Sequence, residues 1–523
     1  MQSNYSNCLW GLYKKVEKIK NFIEKSYKII AIIAVFFTLF FINFYHFFTE
    51  NAISSIKYLF VTLIGIVLLV LLNKCVFNKI KEKRLIWLIL LIAGLFLALE
   101  IITVAYFKVQ YNWDFKCLME SAMRIATSIK PKELGYFKVY PNNIGALIIV
   151  TIVLKIFGGN VNAAYALNIV LVFLSFIFAV LSANKIGGIK LALNTAIVFL
   201  LTAPIYLYTP IIYTDTLSIA FPVMTLYFWL LMKQNKDISK IKYYLSLVAM
   251  VIASCIGFCV KPVAAIIFVA IIIDSIFTHK KIVKDILIAI VLFVVLVMSY
   301  NKVTAKVILR DNRKNDMEIP TTHWIMMGLG KPESDGGTAI GYGSYSQRDV
   351  DFTITSGNYS EKREANIKKI KERLRDFGVK GYICFLYQKG KYIWNDGTYY
   401  SLKLIGWDTL NKSSVLYQYV LGEKSEPFVE SMTYWNNIVF VLIVLGFAIK
   451  LKRKENVQEF RVLGISIVGI AMFLLLWEAR SRYVYFLIPV FCLLAAMGLT
   501  NIINIMPILK NKIINRKELK SNE

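Results

Sequence analysis

The chain has 523 residues, of which 57% are hydrophobic and 14% aromatic, with a mean hydropathy of +0.58 and a formal net charge of +28. This composition excludes a water-soluble globular protein, which would be far more polar, and points to a polytopic membrane protein. It also argues against nucleic acid as the reason for the charge, because Lys and Arg gather in short connectors between apolar runs, where the positive-inside bias puts them.

The basic lead 1–28 precedes a first crossing at 29–48, read as an uncleaved helix because no small-residue cleavage site follows it. A second crossing at 58–72 ends in NKCVFNKIKEKR (73–84), which is cytoplasmic by its charge. The run 85–107 then crosses outward and delivers the polar, aromatic loop 108–143 to the outer face. Three apolar runs follow, at 144–157, 161–181 and 191–208. The basic connectors 233–242, 279–284 and 450–461 must all lie inside, so only two of the three can cross. The shortest, 144–157, follows Pro141 and reads as a juxtamembrane or re-entrant helix on the outer side. SANKIGGIK (182–190) then falls inside.

Further crossings are expected at 216–232, 243–258, 263–277, 285–300, 436–449, 462–476 and 483–503. The expected fold is an all-α polytopic membrane protein with about twelve crossings, outer-face juxtamembrane helices and both termini cytoplasmic. Four regions follow: a lead and hairpin (1–84), a transmembrane core (85–300), an extracytoplasmic segment (301–434), and C-terminal helices with a basic tail (435–523). Within the third, the Gly-rich stretch 328–343 lacks the spacing of a P-loop and reads as an irregular loop. The pattern predicts an amphipathic helix over 360–378, capped by Ser360 and ended by Gly378. The aromatic stretch 381–400 suits either a membrane-interface belt or a sugar-facing surface.

The residues that can carry chemistry share the outer face. Asp114, just past a helix mouth among Tyr111, Trp113 and Phe115, reads either as a local helix-end acid or as a general base for a hydroxyl nucleophile. Asp215, in LYTPIIYTDTLS, opens a new crossing and reads as a dipole partner or as a second site carboxylate. WEARSRY (477–483) puts Arg480 and Arg482 on the face where arginine is least expected. They suit bidentate phosphate contacts, unless Glu478 simply pairs with one of them. Lys261, before Pro262, is either a snorkelling cap or a second phosphate contact. Seven cysteines form no metal-ligand spacing, and Cys117 and Cys384 share the outer face, where a bridge is open to them. No cofactor motif is present; a divalent cation held through water by two carboxylates stays open.

The WD of the first outer loop, YPNN (140–143) before a short helix ending IFG, YTDT (213–216), the KP junction and WEARSRY together resemble bacterial GT-C transferases. The style is that of the dolichyl-phosphate-mannose–protein mannosyltransferase-like group (family 39) and the aminoarabinose lipid A transferases. The resemblance spans about 85–503. It implies an inverting glycosyltransferase that uses a polyprenyl-phosphate sugar at the outer face of the cell membrane and passes the sugar to a cell-envelope glycan, lipid or protein. It implies Asp114 as base or acceptor-positioning acid, Asp215 as the second acid, Arg480 and Arg482 at the donor phosphate, and Lys138 near a Lys-Pro element, although Val139 and Tyr140 intervene before Pro141. Tyr111, Trp113, Lys261 and Glu478 complete the expected binding set. The competing class is a flippase or transporter of a lipid-linked saccharide. It requires ionisable groups near mid-bilayer, and the two acids within apolar runs, Glu100 and Asp274, lie nearer their ends.

Overall fold

The computed structural model describes residues 2–47, 52–128, 135–278, 283–307, 316–333, 336–337, 339–407, 409–452 and 458–521. Parts of the connectors expected at 279–284 and 450–461, of the loop 108–143 and of the stretch 328–343 lie outside them, as does the side chain of His46. The described fold is helical, with only two isolated bridges, Val109 with Thr409 and Pro332 with Ala339.

Among the described residues, ten helices are long and apolar enough to cross a membrane, joined by two shorter apolar helices, Pro141–Ile156 and Pro262–Thr278. Helices solve the problem that lipid offers no partner for a peptide N–H or C=O. Two kinds of span are distinguishable by what they bury. Lys284–Lys306 leaves most of its apolar surface outward, with Val291, Val295 and Met298 exposed, as a lipid-facing helix requires. Thr214–Asn235 and Ser481–Met506 are buried over most of their length and form the centre of the bundle.

The helix Val161–Leu201 is bent back on itself. Gly187 and Gly188 leave helical geometry, Gly188 at φ 76°. Phe176 and Phe199 touch at 5.3 Å between ring centroids, whereas a straight helix would hold them roughly 35 Å apart at about 1.5 Å per residue. The glycine pair therefore replaces the expected connector 182–190 with a tight reversal, since glycine reaches positive φ without a Cβ clash. The twelve expected passes correspond to the ten long helices, with this one counted twice, and the Pro262–Thr278 helix.

Two expectations need correction. The pass drawn to residue 208 stops at Leu201, because Pro204 cannot continue the hydrogen-bond ladder and opens the separate short helix Pro204–Leu207. The helix expected at 360–378 is Tyr359–Trp394, and its cap is Asn358, not Ser360. The Asn358 side chain accepts from the N–H groups of Ser360 and Glu361, while Glu361 reaches back to the Asn358 N–H at 2.8 Å. Gly378, at φ 58°, leaves helical geometry and ends the first helical stretch where expected; a second stretch then runs on to Trp394. The bridge left open between Cys117 and Cys384 is not formed: both are free thiols.

Candidate functional site

The loop after the third span is pinned to a distant part of the chain. Leu410 N–H donates to the Lys108 carbonyl at 2.9 Å beside the Val109–Thr409 bridge. Helix Trp113–Ala126 then starts with Trp113 at φ 48°, a strained setting for a bulky residue, and places half-buried Asp114 in its first turn.

Asp114 terminates a hydrogen-bond chain. Tyr213 OH donates to its Oδ2 at 3.2 Å. Since the Tyr213 proton is used there, the contact of Tyr136 OH with Tyr213 OH, also 3.2 Å, runs from Tyr136 to Tyr213. Asn143 Nδ2 donates to both phenols, at 2.6 and 3.2 Å. Every proton in the chain points toward the carboxylate. Burial, then the charge of Asp114, pushes both phenols well above their ordinary range, so they stay protonated donors. Gly145 fixes the approach of this segment: a Cβ there would lie 2.0 Å from the Cys259 carbonyl oxygen, so no larger residue fits.

Tyr213 also links the acid to the arginine loop. The Arg482 guanidinium lies 6.0 Å from the Tyr213 ring centroid and 5.1 Å from that of Tyr483. The Arg480 guanidinium lies 4.4 Å over the Tyr400 ring. The Nε of each arginine is buried without a hydrogen-bond partner, and neither side chain forms an ion pair among the described residues. The expected alternative, Glu478 paired to one of them, is not what the geometry gives. Glu478 accepts from Tyr483 OH at 2.8 Å. Burial pushes its carboxyl upward against the opposing pull of Arg482 and Arg480.

The remaining expected residues divide. Asp215 and Lys261 form a buried ion pair with each other, which leaves neither as a free group. Lys261 also faces the rings of Tyr483 and Phe486 at 5.4 and 5.7 Å, so the pair sits beneath the arginine loop. Trp113 packs against Trp407, with centroids 4.2 Å apart. Tyr111 stacks on Tyr165 at 6.3 Å, with its hydroxyl buried and unbonded, and shares none of these contacts. Lys138 is half-buried on the short helix Gly135–Val139. His323 is buried in the segment between spans, with Nδ1 2.7 Å from Thr353 Oγ1.

Sequence reasoning missed three parts of this region. Tyr136, Asn143 and Tyr213 hold the acid; Asn143 and Tyr213 were hinted at only by their place in the YPNN and YTDT motifs, and Tyr136 by nothing in the sequence. Asp396 organises the loop carrying Tyr400: it accepts from the N–H groups of Thr398 and Tyr400 at 3.0 and 2.8 Å, and from Ser481 Oγ at 2.6 Å. Lys389, fully buried, donates to the carbonyls of Gly328, Leu475 and Trp477 at 2.6, 3.0 and 2.7 Å. An ammonium there closes the C-terminal end of helix Gln458–Leu476 and starts the arginine loop. Burial lowers it to about 7. Ala479 N–H donates to the Gly343 carbonyl at 2.8 Å, a second tie between loop and segment.

Among the described residues, no group of three or more His, Cys, Asp or Glu side chains is placed to hold a metal. Chemically, the region offers a carboxylate backed by a chain of hydroxyl donors and, across Tyr213, two arginines that form no ion pair among the described residues.

No curated protein matches this sequence. The chain is similar to two crystal structures of ArnT from Cupriavidus metallidurans. The one bound to undecaprenyl phosphate has 12% identity and a TM-score of 0.38 over 79% of this chain and 78% of that one. The apo state has 13% identity and a TM-score of 0.37 over 79% and 77%. A family profile described as "conserved hypothetical integral membrane protein" matches residues 15–503. The chain belongs to this family of integral membrane proteins.

Proposed function

We propose that the protein is a membrane glycosyltransferase. It moves a sugar, with inversion, from a polyprenyl-phosphate donor to a cell-envelope acceptor at the outer face of the cell membrane. The observation that carries this reading is Tyr213, which donates to Asp114 and lies 6.0 Å from the guanidinium of Arg482, in a loop where the buried Nε groups of Arg480 and Arg482 lack partners. A buried donor left unbonded is costly unless a ligand meets it, and guanidinium forks match phosphate oxygens.

In this reaction an acceptor hydroxyl attacks the anomeric carbon. The new C–O bond forms as the bond from that carbon to the phosphate oxygen breaks. The electron pair leaves with the polyprenyl phosphate, whose negative charge Arg480 and Arg482 stabilise. The hydroxyl proton passes to Asp114 as the bond forms. Asp215 and Lys261, locked together, act by holding the base of the arginine loop, and Glu478 fixes Tyr483. An apolar cavity of about 440 Å³ lies between Leu99, Tyr206, Phe428 and Trp435. Its apolar lining suits the first isoprene units of a donor entering from lipid. The outer-face assignment rests on the basic connectors, which belong inside. Residues 301–434 are then extracytoplasmic and both termini cytoplasmic.

The test is radiolabelled sugar transfer in membranes containing the wild type or Asp114→Asn, supplied with polyprenyl-phosphate sugars. Loss of transfer in the variant, with phosphate binding retained, is the expected result. Undiminished transfer by Asp114→Asn overturns the assignment of the base.

A further inference from the structure

Three residues from two distant stretches form an aromatic surface at the mouth of the charged region. Trp113 and Trp407 meet at 4.2 Å and an interplanar angle of 63°. Tyr400 meets the Trp407 ring edge-on at 6.0 Å, and its own face carries the Arg480 guanidinium at 4.4 Å. Both indoles keep solvent-accessible surface, 64% for Trp113 and 37% for Trp407. The contacts close a circuit. Trp113 precedes Asp114, Asp114 bonds Tyr213, Tyr213 faces Arg482, and Arg480, two residues earlier, returns to Tyr400 and Trp407.

The surface is built at a conformational cost. Trp113, Tyr399 and Tyr400 all take positive φ, at 48°, 50° and 68°. Non-glycine residues hold such settings only where their surroundings over-determine them. Here the surroundings are identifiable: Asp396 grips the Tyr400 N–H, Tyr399 OH donates to Asn436 Oδ1 at 2.6 Å, and the Val109–Thr409 bridge joins the two stretches. A lipid-facing belt would need no such register between an indole and a catalytic acid.

We propose that Trp113, Trp407 and Tyr400 form a stacking platform for a pyranose ring, so that the acceptor is a saccharide rather than a peptide; this rests on the transferase reading. A pyranose has a face of C–H bonds and a rim of hydroxyls. The C–H face suits the negative face of an aromatic ring, and the rim then reaches Asp114, the residue next to Trp113. A peptide acceptor needs partners for its backbone N–H and C=O groups, and indole rings supply only an Nε1 donor. The aromatic stretch 381–400 thus contributes a sugar-facing residue at its end, Tyr400.

Saturation-transfer-difference NMR tests this on the full chain in lipid nanodiscs, with the methyl glycosides of glucose, galactose, mannose and N-acetylglucosamine as probes. The expected result is saturation of ring C–H protons of at least one glycoside in the wild type. Affinity should fall about ten-fold in Trp407→Ala and be largely kept in Trp407→Phe, which preserves a stacking face. No saturation with any glycoside, or equal signals from wild type and Trp407→Ala, overturns the platform. A parallel assay of polyprenyl phosphate release from polyprenyl-phosphate sugars separates the two ideas. Trp407-dependent glycoside binding without release sinks the transferase reading and keeps the platform; release without such binding sinks the platform alone.

Discussion

Two regions of this protein bury acids with arginines, and they do so in opposite ways. Around Asp274 everything is matched. Its carboxylate accepts from Arg461 Nε and Nη2 at 2.5 and 3.0 Å, from Tyr27 OH at 3.0 Å, from Gln458 Nε2 at 2.9 Å and from Thr278 Oγ1 at 3.2 Å. This cluster ties the first helix to two others and leaves no carboxylate oxygen free for a ligand. Around Asp114 the matching is incomplete, and what is missing is an anion near Arg480 and Arg482. Identical residue types thus read as a fastening in one place and as a receptor in the other. The distinction lies in whether the donors are used up.

The comparison is broken most strongly through the acid. Asp114→Asn keeps the shape but removes the proposed base, and sugar transfer should fall about 10²- to 10⁴-fold with thermal unfolding in detergent unmoved; loss of folding instead would put Asp114 with Asp274. Conversely, Arg461→Met strands a buried carboxylate and should cost about 3–5 kcal/mol of stability, while the Asp274→Leu, Arg461→Leu pair should come close to neutral. Activity per folded molecule should survive in both. A third test concerns pH. Thr353 Oγ1 donates to Asn366 Oδ1 at 2.9 Å, so it accepts from His323 Nδ1–H, and Nε2 is left buried without a partner. Burial lowers His323 to about 4. The unfolded chain therefore binds the extra proton first. Stability is complete above the ordinary histidine value near 6.5 and is lost as pH falls toward 4, by on the order of 3 kcal/mol. Unfolding curves of His323→Gln between those limits should lose that slope. The smallest effect belongs to Tyr213→Phe, which removes one hydrogen bond to Asp114. Transfer should fall by about ten-fold, and a larger loss would mean that the phenol itself moves a proton.

Much of the fold was legible because membrane spans are written locally. An apolar run of sufficient length has few alternatives to a helix, and the lysine-rich connectors gave the order of passes. Local patterns also singled out Asp114, Arg480 and Arg482 as candidates, since charged residues at helix mouths are conspicuous against so apolar a background. What they could not give was partnership. Lys389 looked like one more lysine of a basic helix, yet it meets carbonyls some 60 to 90 positions away. Asp215 and Lys261 each resembled a site residue, and only their proximity reveals that they satisfy each other. Ser360 satisfied the rule for a helix cap, but Asn358 two residues earlier satisfied it better by pairing with Glu361.

The segment between the spans is fastened to the arginine loop by Lys389 and by the Gly343–Ala479 bond, and it carries Tyr400 and Trp407 with it. It is therefore not an ornament that evolution can trim or trade without consequence. Grafting residues 316–433 from one family member onto the helices of another should transplant the preference for one acceptor over another, and the helices left behind should keep their taste for the same lipid.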